Sequence, residues 1–202
     1  AEYRIQADAA WKKLCQGWGD STAKEASTVE LQWMEQFRFK CSSSTLRRTP
    51  AALALEAEPS AMQKQRQRRF KLLIYDGPSG CGKTERAARW FGADKCLTIQ
   101  CKNIVSPNLR DWMTGDFQSM VFDEGDWQMV SSNRALFQAG PRPVTMAQSQ
   151  CNDRCYTIFV DACPMIVTSN DFWKGCKDWD AWDWIEKNSV YVYIDCLQYI
   201  TN

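Results

Sequence analysis

Apolar residues fall at helical intervals over the first seventy positions and in short unbroken runs thereafter. Trp11, Leu14 and Trp18 predict a short helix within residues 1–20, closed by Gly17-Trp18-Gly19. Ser21-Thr22 with Glu25 reads as a capping box that opens a helix to about Phe39, with Val29, Trp33 and Phe37 as its apolar stripe. CSSSTLRRTP interrupts, and a helical pair divided at Pro59 follows from Pro50 to about Gln67. Beyond it, Leu72–Tyr75, Lys95–Cys101, the run SMVF before Asp123, Met165–Val167 and Val190–Ile194 have strand length. Between Arg134 and Asp161 two β-rich arms surround the polar tip SQCND, which predicts a hairpin. The stretches after Ser106 and from Asp171 to Asn188 read as loop and helix. This pattern predicts a small helical domain over residues 1–69, then an α/β domain over residues 70–202 with a central parallel sheet flanked by helices.

A chain of 202 residues, 45% apolar and 12% aromatic, buries one α/β core plus a small appendage. A net charge of +1 provides no overall field toward nucleic acid or an anionic membrane, so any polyanion site is a local patch. One basic cluster stands out: Lys64, Arg66, Arg68, Arg69 and Lys71. Its readings are a solvated helix face closing a linker, a nucleic-acid contact, or a nuclear import signal. No apolar run reaches bilayer-spanning length, so no membrane partner is expected. The start at Ala1 suggests a processed product or a piece of something longer.

The absence of histidine excludes a His general base, the common nucleophilic triads and His-ligated metals. Ten cysteines lack C-x2-C spacing in a chain without histidine, which argues against a zinc site, and a nucleotide-binding loop that contains Cys81 belongs inside cells, where thiols stay reduced rather than forming a disulfide scaffold.

The chemistry concentrates after the first strand. Gly77-Pro78-Ser79-Gly80-Cys81-Gly82-Lys83-Thr84 fits G-x-x-x-x-G-K-[ST] at every fixed position, between a strand and a helix rich in Glu, Arg and Ala. Phosphate oxygens are wrapped by backbone N–H groups, hence Gly77, Gly80 and Gly82, where the chain must approach closely. Lys83 supplies a point charge for the β and γ phosphates of ATP, and Thr84 offers a hydroxyl to Mg2+. Some forty residues on, an apolar strand ends in Asp123-Glu124. Asp123 is placed to hold Mg2+ and Glu124 to polarise the attacking water. PMIVTSN then puts Asn170 at the carboxyl edge of the sheet, either facing the γ-phosphate or as an ordinary turn residue.

GPSGCGKT, MVFDEGDW and PMIVTSN, in that order and with IQCKNIVSPNLRDW between the first two, resemble the superfamily-three helicase domain of replication-associated (Rep) proteins of small circular single-stranded DNA viruses and plasmids. The resemblance covers roughly Arg69 to Asn202. It implies a P-loop NTPase of AAA+-like fold behind a helical oligomerisation domain, acting as a six-membered homo-oligomeric ring that translocates on single-stranded DNA or RNA. It also implies that Asn170 is a sensor of the γ-phosphate. The family's metal-binding nuclease motif needs histidines, so origin nicking is not implied. The family's hairpin lysine is missing here: Arg154 is the nearest cation, either gripping a phosphate backbone or pairing with Asp153 or Asp161. Where an arginine finger is expected, WIEKNSV offers only Lys187. The expected function is an ATP-dependent helicase or translocase ATPase in replication. The rivals are a nucleotide-binding oligomerisation module without efficient turnover and a P-loop kinase.

Overall fold

The computed structural model describes residues 21–23, 27–37, 69–114, 116–146, 155–195 and 199–201. Its centre is a five-stranded sheet of β2 (Leu72–Asp76), β3 (Cys96–Gln100), β4 (Ser119–Asp123), β7 (Met165–Ser169) and β8 (Ser189–Tyr193), in the order β3-β4-β7-β2-β8. Every pairing within it is parallel. β2 and β7 are buried at all five positions, as strands covered on both faces must be.

Because successive side chains point to opposite faces, each central strand feeds two cores. Leu72, Ile74, Met120, Phe122, Met165 and Val167 enter one cluster. There they join residues of α3 (Trp127–Ser132), α4 (Arg134–Phe137) and α5 (Trp179–Asn188). Leu73, Tyr75, Val121 and Ile166 enter the other, with Trp33 and Phe37 from α1 (Thr28–Glu35) and its exit, and Ala87 and Trp90 from α2 (Lys83–Arg89) and its end. The result is an α/β fold with a parallel sheet flanked by helices. A separate hairpin pairs β5 (Val144–Met146) with β6 (Tyr156–Ile158), and β1 (Ser21–Ala23) pairs antiparallel with β9 (Tyr199–Thr201).

The first helix differs from the expectation. Ser27 and Glu30 form the capping box, and Ser21-Thr22, expected to open the helix, lie in β1 instead. The cause is tertiary, since the Glu30 carboxylate has interior partners. Arg86 donates to both of its oxygens at 2.8 Å, the Ser27 N–H donates at 2.7 Å, and the Tyr75 hydroxyl donates to it. Trp90 in turn donates to the Tyr75 oxygen at 2.7 Å. Val29 is exposed, so the buried face is Glu30 and Trp33 of α1 with Phe37 just past its end. Trp33 and Gln36 also fasten α1 to the chain entering β2, through the Lys71 carbonyl at 2.6 and 3.1 Å.

The hairpin arms are shorter than expected. Residues Arg134–Phe137 are helix, and the strands occupy only three residues each. The last central strand starts at Ser189, directly after α5. The helices expected within residues 1–20 and 50–67, the basic positions Lys64, Arg66 and Arg68, and the hairpin tip with Arg154 lie outside the described residues. Among the described residues, no helix is long and apolar enough to cross a membrane.

Candidate functional site

The carboxyl ends of β2, β4 and β7 meet at one edge of the sheet, where open α/β sheets bind ligands. β2 runs straight into the glycine-rich loop. At Gly77 (φ 149°) a Cβ would sit 1.9 Å from the carbonyl oxygen of Ile194, so only glycine lets the loop leave the sheet this close to the chain after β8. The loop residues Ser79 to Thr84 line a cleft, faced by Asp123, Glu124, Thr168, Ser169 and Asn170.

Lys83 is buried, and its ammonium is fully occupied. It donates to the carbonyls of Gly77 and Pro78 at 2.9 and 2.6 Å and to Oδ1 of Asn170 at 3.1 Å. Lys83 and Asn170 are 87 positions apart in sequence and share a hydrogen bond because β7 lies beside β2. Thr84 donates its hydroxyl to Oδ1 of Asp123 at 2.5 Å. Thr168 reaches the same oxygen at 2.7 Å, and Gln100 reaches Oδ2 at 2.6 Å. Burial alone would raise the Asp123 carboxyl, but hydrogen bonds from Thr84, Thr168, Gln100 and the Glu124 backbone hold it below the usual aspartate range. It is therefore an ionised acceptor at neutral pH.

A carboxylate and a hydroxyl side by side suit a hard, oxygen-seeking cation. Among the described residues no group of three or more His, Cys, Asp or Glu side chains is gathered that could hold a metal.

Glu124 adopts the left-handed conformation (φ 57°), uncommon for a residue with a side chain. The next residue explains the turn. Gly125 donates its N–H to the Thr168 carbonyl at 3.0 Å, and a Cβ there would lie 2.9 Å from Val167 and 2.7 Å from Met129. The chain thus reverses sharply after Asp123, and Glu124 lines the cleft with its carboxylate 3.8 Å from Lys102, an exposed pair of little energetic weight.

Of the residues singled out in the sequence, the structure brings Lys83, Thr84, Asp123, Glu124 and Asn170 to one cleft, with Ser79, Gly80, Cys81 and Gly82 forming its loop wall. Gly77 and Pro78 contribute carbonyls to Lys83 rather than lining the cleft. Lys187 lies elsewhere in the bonding scheme, paired with Asp183 one helical turn back at 2.7 Å. The sequence reading missed Gln100 and Thr168 as partners of Asp123. The legible signal was a polar residue at the carboxyl end of each apolar strand, since Gln100 lies in register with Asp123. It also missed Asp76, the last residue of β2, whose carboxylate accepts from the Gly77 and Phe172 N–H groups and the Tyr191 hydroxyl.

No protein-family model matches this chain, and no curated protein matches it. Among solved structures it is similar to the A form apo structure of the NrS-1 C-terminal region, at 12% identity and a TM-score of 0.35, over 88% of this chain and 39% of that one. The chain thus spans well under half the length of that structure, and a likeness this distant carries no argument about activity.

Proposed function

We propose that this chain is a Mg2+-dependent ATPase of the superfamily-three helicase kind that moves or remodels single-stranded nucleic acid during replication. The observation that supports it best is the convergence of Lys83 with Asn170 and of Thr84 with Asp123, at 3.1 and 2.5 Å, beside a complete phosphate loop. Lys83 would exchange the Gly77 and Pro78 carbonyls for β and γ phosphate oxygens, and the loop N–H groups would wrap the same phosphates. Thr84 and Asp123 would hold the metal, which supplies charge neutralisation at the phosphates. Glu124 would accept a proton from water as its oxygen bonds to the γ-phosphorus and the bridging P–O bond to ADP breaks. Asn170, already in contact with Lys83, would report whether the γ-phosphate is present. In the same proposal the chain works inside cells as a homo-oligomer, a six-membered ring, on single-stranded DNA or RNA, and residues 1–69 serve assembly.

One observation favours a second reading, a nucleotide-binding oligomerisation module with little turnover. Lys187, the cation at the expected finger position among the described residues, is engaged by Asp183 within its own helix. ATP turnover with and without single-stranded DNA separates the two. Lys83→Ala is expected to abolish nucleotide binding, and Glu124→Gln to keep binding while lowering kcat by about 10^2- to 10^4-fold. Parent-rate hydrolysis by Glu124→Gln would remove Glu124 as the base. Tight ATP binding with no turnover, DNA present or not, would establish the second reading.

A further inference from the structure

We infer that Asp76 is a positioning residue that locks the phosphate loop and the Asn170 loop into one geometry, an inference that rests on the ATPase reading for its kinetic consequence. Asp76 ends β2, in register with Ser169 of β7 and Tyr193 of β8, where the three strands release their loops. Asp76 is 5% exposed, and its carboxylate spans all three departures. Oδ1 accepts the N–H of Gly77, the first loop residue, at 2.9 Å and the N–H of Phe172, two residues past Asn170, at 3.2 Å. Oδ2 accepts the Tyr191 hydroxyl from β8 at 2.5 Å. The backbone carbonyl of the same residue accepts the Ile194 N–H at 2.7 Å, which fixes the chain that Gly77 grazes.

A carboxylate suits this place because it only accepts. Three donors from three segments converge on it, and its two oxygens have lone pairs enough for all three. Burial and the neighbouring Asp76 carboxylate hold the Tyr191 phenol well above its ordinary value, so it stays a donor across the physiological range. The consequence reaches the chemistry through two short lever arms. Gly77 also provides a carbonyl to Lys83, and the segment ending at Phe172 carries Asn170, which meets the same ammonium. One buried oxygen therefore sets both sides of the Lys83–Asn170 contact.

The test uses Asp76→Ala, Asp76→Asn and Tyr191→Phe in the full chain. In the protein without nucleotide, amide hydrogen exchange of Asp76→Ala is expected to accelerate in both the Gly77–Lys83 and Asn170–Trp173 segments while β4 keeps its protection. Asp76→Asn, which retains one acceptor oxygen, is expected to restore much of that protection, and Tyr191→Phe to disturb it least. In turnover, a displacement of about 1 Å at the phosphate costs on the order of 10^2-fold. Asp76→Ala should therefore lose about that factor in kcat with a smaller rise in the KM for ATP, and Asp76→Asn should recover part of it. Parent-like exchange in either segment of Asp76→Ala overturns the inference. So does a change in KM alone at parent kcat, because a misplaced Lys83–Asn170 contact would slow the chemical step itself. If Asp76→Ala fails to fold, the comparison of Asp76→Asn with Tyr191→Phe decides by the same criteria. If the parent binds no ATP, the ATPase reading fails on its own, and the exchange comparison still decides the role of Asp76.

Discussion

Removing the Glu30 carboxylate should be among the most damaging single changes in this chain. Glu30 is 1% exposed and Arg86 3%, and the guanidinium donates to both carboxylate oxygens at 2.8 Å. Glu30→Ala leaves that guanidinium buried with its anion gone, frees the Tyr75 hydroxyl from its acceptor, and dissolves half of the α1 capping box. Breaking one side of a buried pair costs about 3–5 kcal/mol, and the orphaned hydroxyl and lost cap overlap with that figure rather than adding to it. In a chain of this size each kcal/mol moves the melting point by about 2–4 °C, so Tm should fall on the order of 10 °C. The contrast is the double variant Glu30→Leu with Arg86→Met, which removes both charges and should recover much of the loss, since a buried pair is often replaceable by apolar groups. The pH course follows from the same contacts. Burial would raise Glu30, yet Arg86, Tyr75 and the Ser27 N–H bring it below its ordinary 4.5. The folded state therefore holds this carboxylate ionised more firmly than the unfolded chain does. Its stabilisation is complete above pH 4.5 and is lost as pH falls through the lower folded value. Urea melts of the parent, Glu30→Ala, the singles Glu30→Leu and Arg86→Met, and their double variant measure this. A loss under about 1 kcal/mol for Glu30→Ala, or strictly additive singles, would refute the argument.

Two further expectations concern the site's surroundings. Gly77→Ala should both destabilise the fold and weaken nucleotide binding, because its Cβ would lie 1.9 Å from a backbone oxygen that cannot rotate away, at a dihedral of φ 149° costing about 1–3 kcal/mol in itself. Equal melts and equal ATP affinity for parent and variant would contradict it. Cys101 should resist thiol reagents at pH 8 in the folded protein while the exposed Cys155 reacts. Burial and the charges of Asp123 and Asp126 push the Cys101 thiol up to about 12, and mass spectrometry of the labelled chain reads the difference.

The central strands were legible because strands buried on both faces must be apolar at consecutive positions, as Leu72–Tyr75 and Met165–Val167 are. The glycine-rich loop was legible because its backbone conformation demands particular residue types. What local pattern could not rank was two capping boxes a few residues apart. Thr22 with Glu25 and Ser27 with Glu30 read alike, and the choice fell to Arg86, 56 positions beyond Glu30. Val29 was drawn into the core by spacing alone, although the charged Glu30 beside it is the buried residue. Asp76 was invisible for a related reason. An acid between an apolar strand and a glycine looks like surface punctuation until Phe172 and Tyr191 fold back over it. Asn170 lay between the two extremes: its place at a strand end could be read, but its contact with Lys83 depends on which strand neighbours which.

The insertion of β7 between β2 and β4 also dictates when this molecule can fold. β2 and β4 do not touch one another in the finished sheet; each is completed only by a strand that emerges from the ribosome much later. Until residues 165–169 arrive, the apolar edges of β2 and β4 have no partner on that side, and the ligand-facing edge has a gap in its middle. Long-range parallel pairing of this kind is slow, because loop closure comes before any reward in contacts. Asp76 and Phe172 close a span of 96 positions. The nascent chain must therefore hold unsatisfied strand edges while most of the domain is being made, the condition under which partly made proteins aggregate or recruit chaperones. Truncation before β7 should leave at most the β3–β4 pair and strand β2 without either of its neighbours, and with that the cleft at the sheet edge is lost in a single step.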